Sequence, residues 1–280
     1  MADPKEIFGY KVVARLGEGA ASTLYAVQDP KTDQLWTLKH VIKGNEKQQR
    51  FIDQVVAEHE IGSKLNHPAL RCVEKLLRKR KRFKTIEVGL LMEFVDAPSL
   101  DLSRPASVLK SVRIFERIAM GLHHMHERGF VHADMKPTNV LINGIDVKII
   151  DLGQACQSGT TKKRIQGTPG YIAPEQAHRR RITPETDMYN FGATMHWVLC
   201  GKVIPTAIPP KSDQAGIYSG TVDTDRIPPP TPLHKVDPRI PEKLGNLILD
   251  CVRVPRAARP ATMDLVAMNL RVIGDDLADL

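Results

Sequence analysis

His132-Ala133-Asp134-Met135-Lys136-Pro137-Thr138-Asn139, followed by Asp151-Leu152-Gly153, is the stretch on which the reading of this chain turns. Between the two, Val140 to Ile142 and Val147 to Ile150 have strand composition, and Asn143-Gly144 supplies a turn signal. A polar loop therefore leads into a hairpin, and the hairpin returns Asp151 to the side of the loop. Two carboxylates, an amide and an ammonium gather at one mouth. Moving a phosphoryl group from a metal-bound nucleotide draws on such a set: an acceptor to orient a hydroxyl, oxygens for the metal, and a cation for the phosphate in transit. Taken alone, the stretch also reads as a polar loop beside a hairpin, so the rest of the chain must decide.

The chain has 280 residues, 42% of them apolar and 26% charged, as in ordinary globular proteins. It is long enough to bury a substantial core. No run approaches the ~18 apolar residues of a membrane span, and the N-terminus lacks a signal-peptide core. Cys72, Cys156, Cys200 and Cys251 lie far apart, without metal-type or redox-type spacing. They read as reduced thiols, and a cytoplasmic location is expected. The net charge of +8 is compatible with an acidic partner, nucleic acid or lipid, or with none in particular.

Upstream of the loop the chain reads as short strands. Tyr10 to Leu16 and Thr23 to Gln28 flank Gly17-Glu18-Gly19-Ala20-Ala21-Ser22, a hairpin whose glycines let backbone amides approach a phosphate. Leu35-Trp36-Thr37-Leu38-Lys39 is strand-like and ends in a lysine. Phe51 to Leu65 has helical spacing and stops before Asn66-His67-Pro68. Arg78 to Lys84 places six basic residues in seven between strand-like runs, Cys72 to Leu77 and Thr85 to Phe94. It reads as a hairpin tip, either simply solvated or docking to an acidic protein, a nucleic acid or a membrane surface. Val108 to Arg128 is an amphipathic helix ended by Gly129. His123, His124 and His126 within it point to different faces, so a metal site is not expected there.

Downstream, a polar segment from Gln154 to Gln166 precedes Gly167-Thr168-Pro169-Gly170-Tyr171-Ile172-Ala173-Pro174-Glu175. Thr183-Pro184 opens a helix that Gly201 closes. Nine of the 20 prolines fall from Pro205 to Pro241, and helices are expected over Pro241 to Val252 and Ala261 to Ile273.

In this order the motifs resemble the catalytic domain of eukaryotic-like serine/threonine protein kinases, bacterial members included, over nearly the whole chain. The resemblance implies an α+β, two-lobed protein kinase-like fold. Residues 1–95 would form a small antiparallel β-rich lobe with one helix, and residues 96–280 a larger, mainly helical lobe. It implies transfer of the ATP γ-phosphoryl group to protein serine or threonine hydroxyls, the chain's own included. Asp134 would be the hydroxyl's acceptor and Lys136 the γ-phosphate cation. Asn139 and Asp151 would be ligands of Mg²⁺, with Mn²⁺ as a substitute. Lys39, paired with Glu58 rather than Glu60, would hold the other phosphates under the Gly17, Gly19 and Ser22 tip. Leu24, Thr37, Met92, Glu93, Val95 and Leu141 would line the adenine site. Asp187 would brace the catalytic-loop backbone, and Arg259 would pair with Glu175.

The sequence departs from the family pattern at several points. Ser22 replaces a glycine, Leu24 a valine and Thr37 an alanine. Gly62 stands where a bulky apolar residue joins the helix to the metal-binding triplet, which implies a loose joint. Ala133 replaces the arginine before the catalytic aspartate. Gly62, Thr37 and Ser22 favour an alternative, a pseudokinase that binds nucleotide or a partner without chemistry, whereas the presence of Lys39, Asp134, Asn139 and Asp151 disfavours it. A small-molecule phosphotransferase is a further alternative, disfavoured by Gly167 to Glu175. The implied partners are a protein substrate and an acidic partner at Arg78 to Lys84. Nucleic acid is not expected, and no oligomeric state is implied.

Overall fold

A computed structural model describes residues 3–19, 21–208 and 227–279. The chain divides into two compact units. One comprises the chain up to Asn66 together with Leu70–Asp96, the other His67–Ala69 and the chain from Ala97 onward.

The first unit is an antiparallel sheet of β1 (Glu6–Ile7), β2 (Tyr10–Glu18), β3 (Thr23–Gln28), β4 (Leu35–Ile42), β5 (Val73–Lys81) and β6 (Lys84–Glu93). The strand order is β1-β2-β3-β4-β6-β5. Alternation along the strands splits the apolar residues between two faces. Val41, Val88, Leu90 and Met92 pack against Ile52 and Val55 of α1 (Gln49–Gly62). Ile7, Tyr25, Val27, Leu38 and Leu91 form the core of the other face. Because both faces are covered, β6 reads as a continuous apolar run rather than an alternating one.

Three expected boundaries move. Helix α1 ends at Gly62 rather than Leu65, in turns that precede Pro68. The basic stretch is not a broad tip, because pairing continues through Arg80↔Thr85 and Lys81↔Lys84. Only Arg82 and Phe83 are left to turn, with Arg82 at φ +55°. Charged side chains at a solvated sheet edge do not interrupt backbone pairing. In the hairpin after the His132–Asn139 loop, β8 (Val140–Asn143) and β9 (Asp146–Ile149) pair up to Asn143↔Asp146, so the turn is Gly144-Ile145. Gly144 takes φ +65°, a conformation open to glycine at little cost.

The second unit is mainly helical. Its framework is α2 (Val108–Glu127), α3 (Pro174–Ala177), α4 (Pro184–Cys200), α5 (Leu233–Val236), α6 (Glu242–Cys251) and α7 (Met263–Ala278), with short pairings of β8 with β9 and of β7 (Phe130–Val131) with β10 (Cys156–Gln157). Ser107 caps α2 by accepting from the Lys110 amide, and Thr262 caps α7 from Leu265. Part of the proline-rich stretch lies outside the described residues, and α5 interrupts the rest.

Helix α4 is buried on nearly all sides, and Gly192 sets how closely α6 approaches it. A Cβ at Gly192 would lie 2.7 Å from Cys251 Cβ and 2.8 Å from Val252 Cγ1. Alanine would gain about 1 kcal/mol of helix propensity, while overpacking a close core contact costs about 1–3 kcal/mol. Gly192→Ala is therefore expected to lower the melting temperature, although the same change at an exposed helix site would raise it.

Burial also depresses the pKa of His67, His124 and His196, with nearby cations adding to the effect at His67 and His124. Such groups bind fewer protons when folded than when unfolded. Their contribution to stability is present above the unfolded value near 6.5 and is lost as pH falls below it. Thermal melts are expected to show a fall in stability between about pH 7 and pH 5, and His196→Asn should flatten that fall.

Candidate active site

The loop from His132 to Asn139 has no regular secondary structure of its own before Pro137, so each backbone group needs a partner from elsewhere. The Asp187 carboxylate, fully buried in the first turn of α4, accepts from the amides of His132 (2.8 Å) and Ala133 (2.7 Å). His126 of α2 lies 2.8 Å from the same carboxylate. Gln176 of α3 donates to the Ala133 carbonyl (2.7 Å), and Thr194 of α4 donates to that of Met135 (3.3 Å). The Asp134 carbonyl accepts from Asn139 Nδ2 (2.9 Å) and the Lys136 carbonyl from the Asn139 amide (3.0 Å). Ala133 is held at φ +62°, a strained region for a residue with a Cβ. The surrounding donors and acceptors fix it there.

His132 ties the loop to the second motif. Its Nδ1 accepts from the Asp134 amide (3.2 Å), so the ring proton sits on Nε2, which meets the Ile150 carbonyl at 3.3 Å. The Ile150 amide in turn donates to the Asn139 carbonyl (2.9 Å). Asp151 follows directly in the left-handed region, φ +64°, and its carboxylate accepts from Gly153. The hairpin of β8 and β9 thus returns Asp151 beside Asn139, as the polar-loop-and-hairpin reading expects.

The side chains converge on Asp134. Oδ2 accepts from Lys136 Nζ at 2.9 Å and Oδ1 from the Thr168 hydroxyl at 2.8 Å. Lys136 also reaches Thr168 Oγ1 at 3.0 Å. Asn139 spends its amide hydrogens on Asp134, which leaves its amide oxygen for a cation. Among the described residues no group of three or more His, Cys, Asp or Glu could hold a metal ion alone. Asn139 and Asp151 still suit Mg²⁺, which is held through one or two carboxylates with water and substrate phosphates completing the shell.

In the first unit, Lys39 on β4 donates to Glu58 Oε2 on α1 at 2.7 Å. Glu58 is buried, while Glu60 is exposed. Thr37, two residues before Lys39, is 1% exposed and its hydroxyl has no partner. Met92 is buried opposite Thr37 in the strand pairing. Gly17 and Leu24 pair across β2 and β3, and the Gly19 amide donates to the Ser22 carbonyl at 2.7 Å. Glu93 ends β6 and its carboxylate accepts from the Cys72 amide. Val95 follows it in the same unit, Leu141 lies in β8 of the other unit, and Gly62 is buried as the last residue of α1.

A model of the protein kinase domain matches residues 10–270. The chain belongs to the protein kinase family. The serine/threonine-protein kinase pkn3 of Myxococcus xanthus is 28% identical over 289 aligned positions, covering 95% of this chain and 50% of that protein. The DNA damage-responsive serine/threonine-protein kinase RqkA of Deinococcus radiodurans is 28% identical over 86% of this chain and 36% of its own length. The inactive serine/threonine-protein kinase PLK5 of Mus musculus is 30% identical over 76% of this chain and 36% of its own length. The chain spans about half the length of these relatives or less.

This kinase domain also closes its Ala-Pro-Glu motif with a buried ion pair. Arg259 grips Glu175 through two nitrogens, at 2.8 and 3.0 Å, and its side chain is wholly buried. Sequence reading missed Gln176, His132, His126 and Thr194. A buried glutamine directly after Ala-Pro-Glu was the available signal for the first. His132 opens the quoted loop but was given no role of its own there, whereas His126 and Thr194 match no motif and emerge only when α2 and α4 are packed.

The Thr37 hydroxyl gives a test that does not depend on activity. A buried hydroxyl without a partner costs about 1–3 kcal/mol, and valine has nearly the same shape and suits a strand better. Thr37→Val is expected to raise the melting temperature of the protein without nucleotide. A fall would show that the hydroxyl is bonded.

Proposed function

We propose that this chain is an active serine/threonine protein kinase that transfers the γ-phosphoryl group of ATP to hydroxyls of protein substrates, its own included. The observation that carries the reading is the convergence on Asp134, a largely buried carboxylate that already accepts from one hydroxyl, Thr168, and one ammonium, Lys136. A carboxylate held in this way is an oriented acceptor for a substrate hydroxyl. The hydroxyl oxygen would form the new bond to the γ-phosphorus as its proton passes to Asp134. The bond between that phosphorus and the β–γ bridging oxygen would break, and ADP would leave. Lys136 would steady the γ-phosphate. Mg²⁺, held by Asn139 and Asp151, would neutralise charge on the phosphates.

Lys39 would bind the α- and β-phosphates, positioned by Glu58. The backbone of Gly17, Gly19 and Ser22 would cover them. Leu24, Thr37, Met92, Glu93, Val95 and Leu141 would surround adenine. In lobe terms, residues 1–95 would supply the nucleotide-binding lobe and residues 96–280 the substrate lobe.

A second reading, a domain that binds nucleotide or a partner without chemistry, is favoured by Gly62 alone among the structural details. Buried at the end of α1, it offers no side chain to lock that helix. Mass spectrometry after incubation with Mg-ATP separates the two readings. New phosphates on serine or threonine, lost in Asp151→Asn, support the kinase. Nucleotide binding without any phosphate supports the silent module.

Asp134→Asn removes the proton acceptor but no phosphate contact. It is expected to lower kcat by about 10²–10⁴-fold, the usual contribution of a general base, with ATP affinity nearly unchanged by calorimetry. Near-normal turnover in this variant would refute the assigned role.

A further inference from the structure

The β5–β6 hairpin carries features that neither the sheet nor the proposed reaction uses. Lys79 pairs with Glu87 at 3.4 Å and Lys84 with Glu46 at 3.2 Å. Among the described residues no carboxylate lies within ion-pair distance of Arg78, Arg80, Lys81 or Arg82. At the apex Phe83 is fully exposed, at 101% of its reference area. The register Lys81↔Lys84 brings two ammonium groups opposite each other, an arrangement that destabilises a bare hairpin. The β3–β4 turn of the same sheet, by contrast, contains two carboxylates, Asp29 and Asp33, one cation, Lys31, and no aromatic residue.

Edge protection explains lysines and arginines along β5, which is an edge strand. It does not explain an aromatic ring at the apex. A ring surrounded by unpaired cations needs a surface that is apolar below and anionic above. Proteins that bind single strands of nucleic acid use a groove with successive stacking platforms, whereas this is a convex tip with one ring. An acidic protein would answer the charge and leave the ring in water. A planar anionic bilayer meets every feature at once. Its headgroups attract the cations, and its interface accepts an aromatic side chain.

We propose that the β5–β6 hairpin is a peripheral membrane-docking tip, with Phe83 entering the headgroup region of an anionic bilayer and Arg78, Arg80, Lys81 and Arg82 seated on lipid phosphates. Such docking needs no spanning helix, and no described helix is long and apolar enough to cross a membrane.

The test is co-sedimentation of the whole chain with vesicles of phosphatidylcholine, with and without phosphatidylserine. Binding is expected only to the anionic vesicles, and it should vanish near 1 M salt, where the Debye length falls to about 3 Å. Arg80→Gln with Arg82→Gln should weaken binding about 25-fold, at roughly fivefold per cation. Phe83→Ser should weaken it without changing the salt dependence, because no charge is lost. Both changes lie outside the core, so melting temperatures should match the parent. Equal binding to neutral vesicles, or parental binding by both variants, would overturn the proposal. So would a mixed-sequence oligonucleotide that is bound with the same dependence on the tip while vesicles are not, since that would make the hairpin a nucleic-acid surface.

Discussion

The buried carboxylate of Asp187 is the constraint on which the catalytic loop depends. A loop that must hold Ala133 at φ +62° turns its amides away from any ladder that could pair them. Left alone in the interior, two such amides would each cost a desolvation penalty of about 1–3 kcal/mol. One carboxylate takes both, with His126 as a third partner. Its place in the first turn of α4 adds the favourable end of the helix dipole. The loop is thereby fastened to α4, a helix buried on most of its surface, so its geometry is as rigid as the core of the second unit. Catalytic side chains gain their precision from such support, because a displacement of about 1 Å can cost 10²-fold in rate.

The same logic explains the other buried charges. Arg259 and Glu175 lose water entirely, a loss that a buried pair recovers only through good geometry and further hydrogen bonds. Both conditions are met. The pair is bidentate, Arg259 also donates to the Arg253 and Val254 carbonyls, and Thr186 donates to Glu175. Fastening the end of the Gly167–Glu175 segment also places Gln176, whose amide group bridges the Ala133 carbonyl and the Ala173 amide. Lys39 and Glu58 differ in kind. Their pair links β4 to α1, and the Lys39 side chain remains partly exposed, at 13%. Keeping part of its hydration lowers the desolvation cost of this pair relative to the fully buried one.

Much of this was legible in the sequence because the loop, the strand lysine and the Ala-Pro-Glu segment are chemically dense over short spans. The choice of Glu58 over Glu60 followed from counting back from Pro68, and burial agrees with it. What the sequence did not show depends on residues that become neighbours only through packing. His126 and Asp187 are 61 positions apart, and Gln176 and Ala133 are 43 apart. No local periodicity encodes such pairs. The basic hairpin was misjudged for a different reason. Its position between two strand-like runs suggested a tip spanning Arg78 to Lys84, yet backbone pairing at a solvated edge is indifferent to side-chain charge, so the strands ran on to Lys81 and Lys84.

Ala133 changes how charge can act on this site. A cation at that position would couple the loop directly to any anion on the Gln154–Gln166 segment, through a Coulomb term that is strong at short range in a partly buried site. Alanine brings no charge, and its backbone is held by Asp187 and the neutral amide of Gln176. Lys162 donates to the Gln154 carbonyl within the segment itself. The segment meets the loop in two ways: Cys156 pairs with Val131 and packs with Ala133, and Gln176 donates both to the Ala133 carbonyl and, at 3.3 Å, to the Gln166 carbonyl. Ala133 is thus linked to the segment through packed apolar groups and neutral hydrogen bonds, and such groups resist small displacements. The backbone around Asp134 is accordingly held by the packing and hydrogen bonding of the second unit.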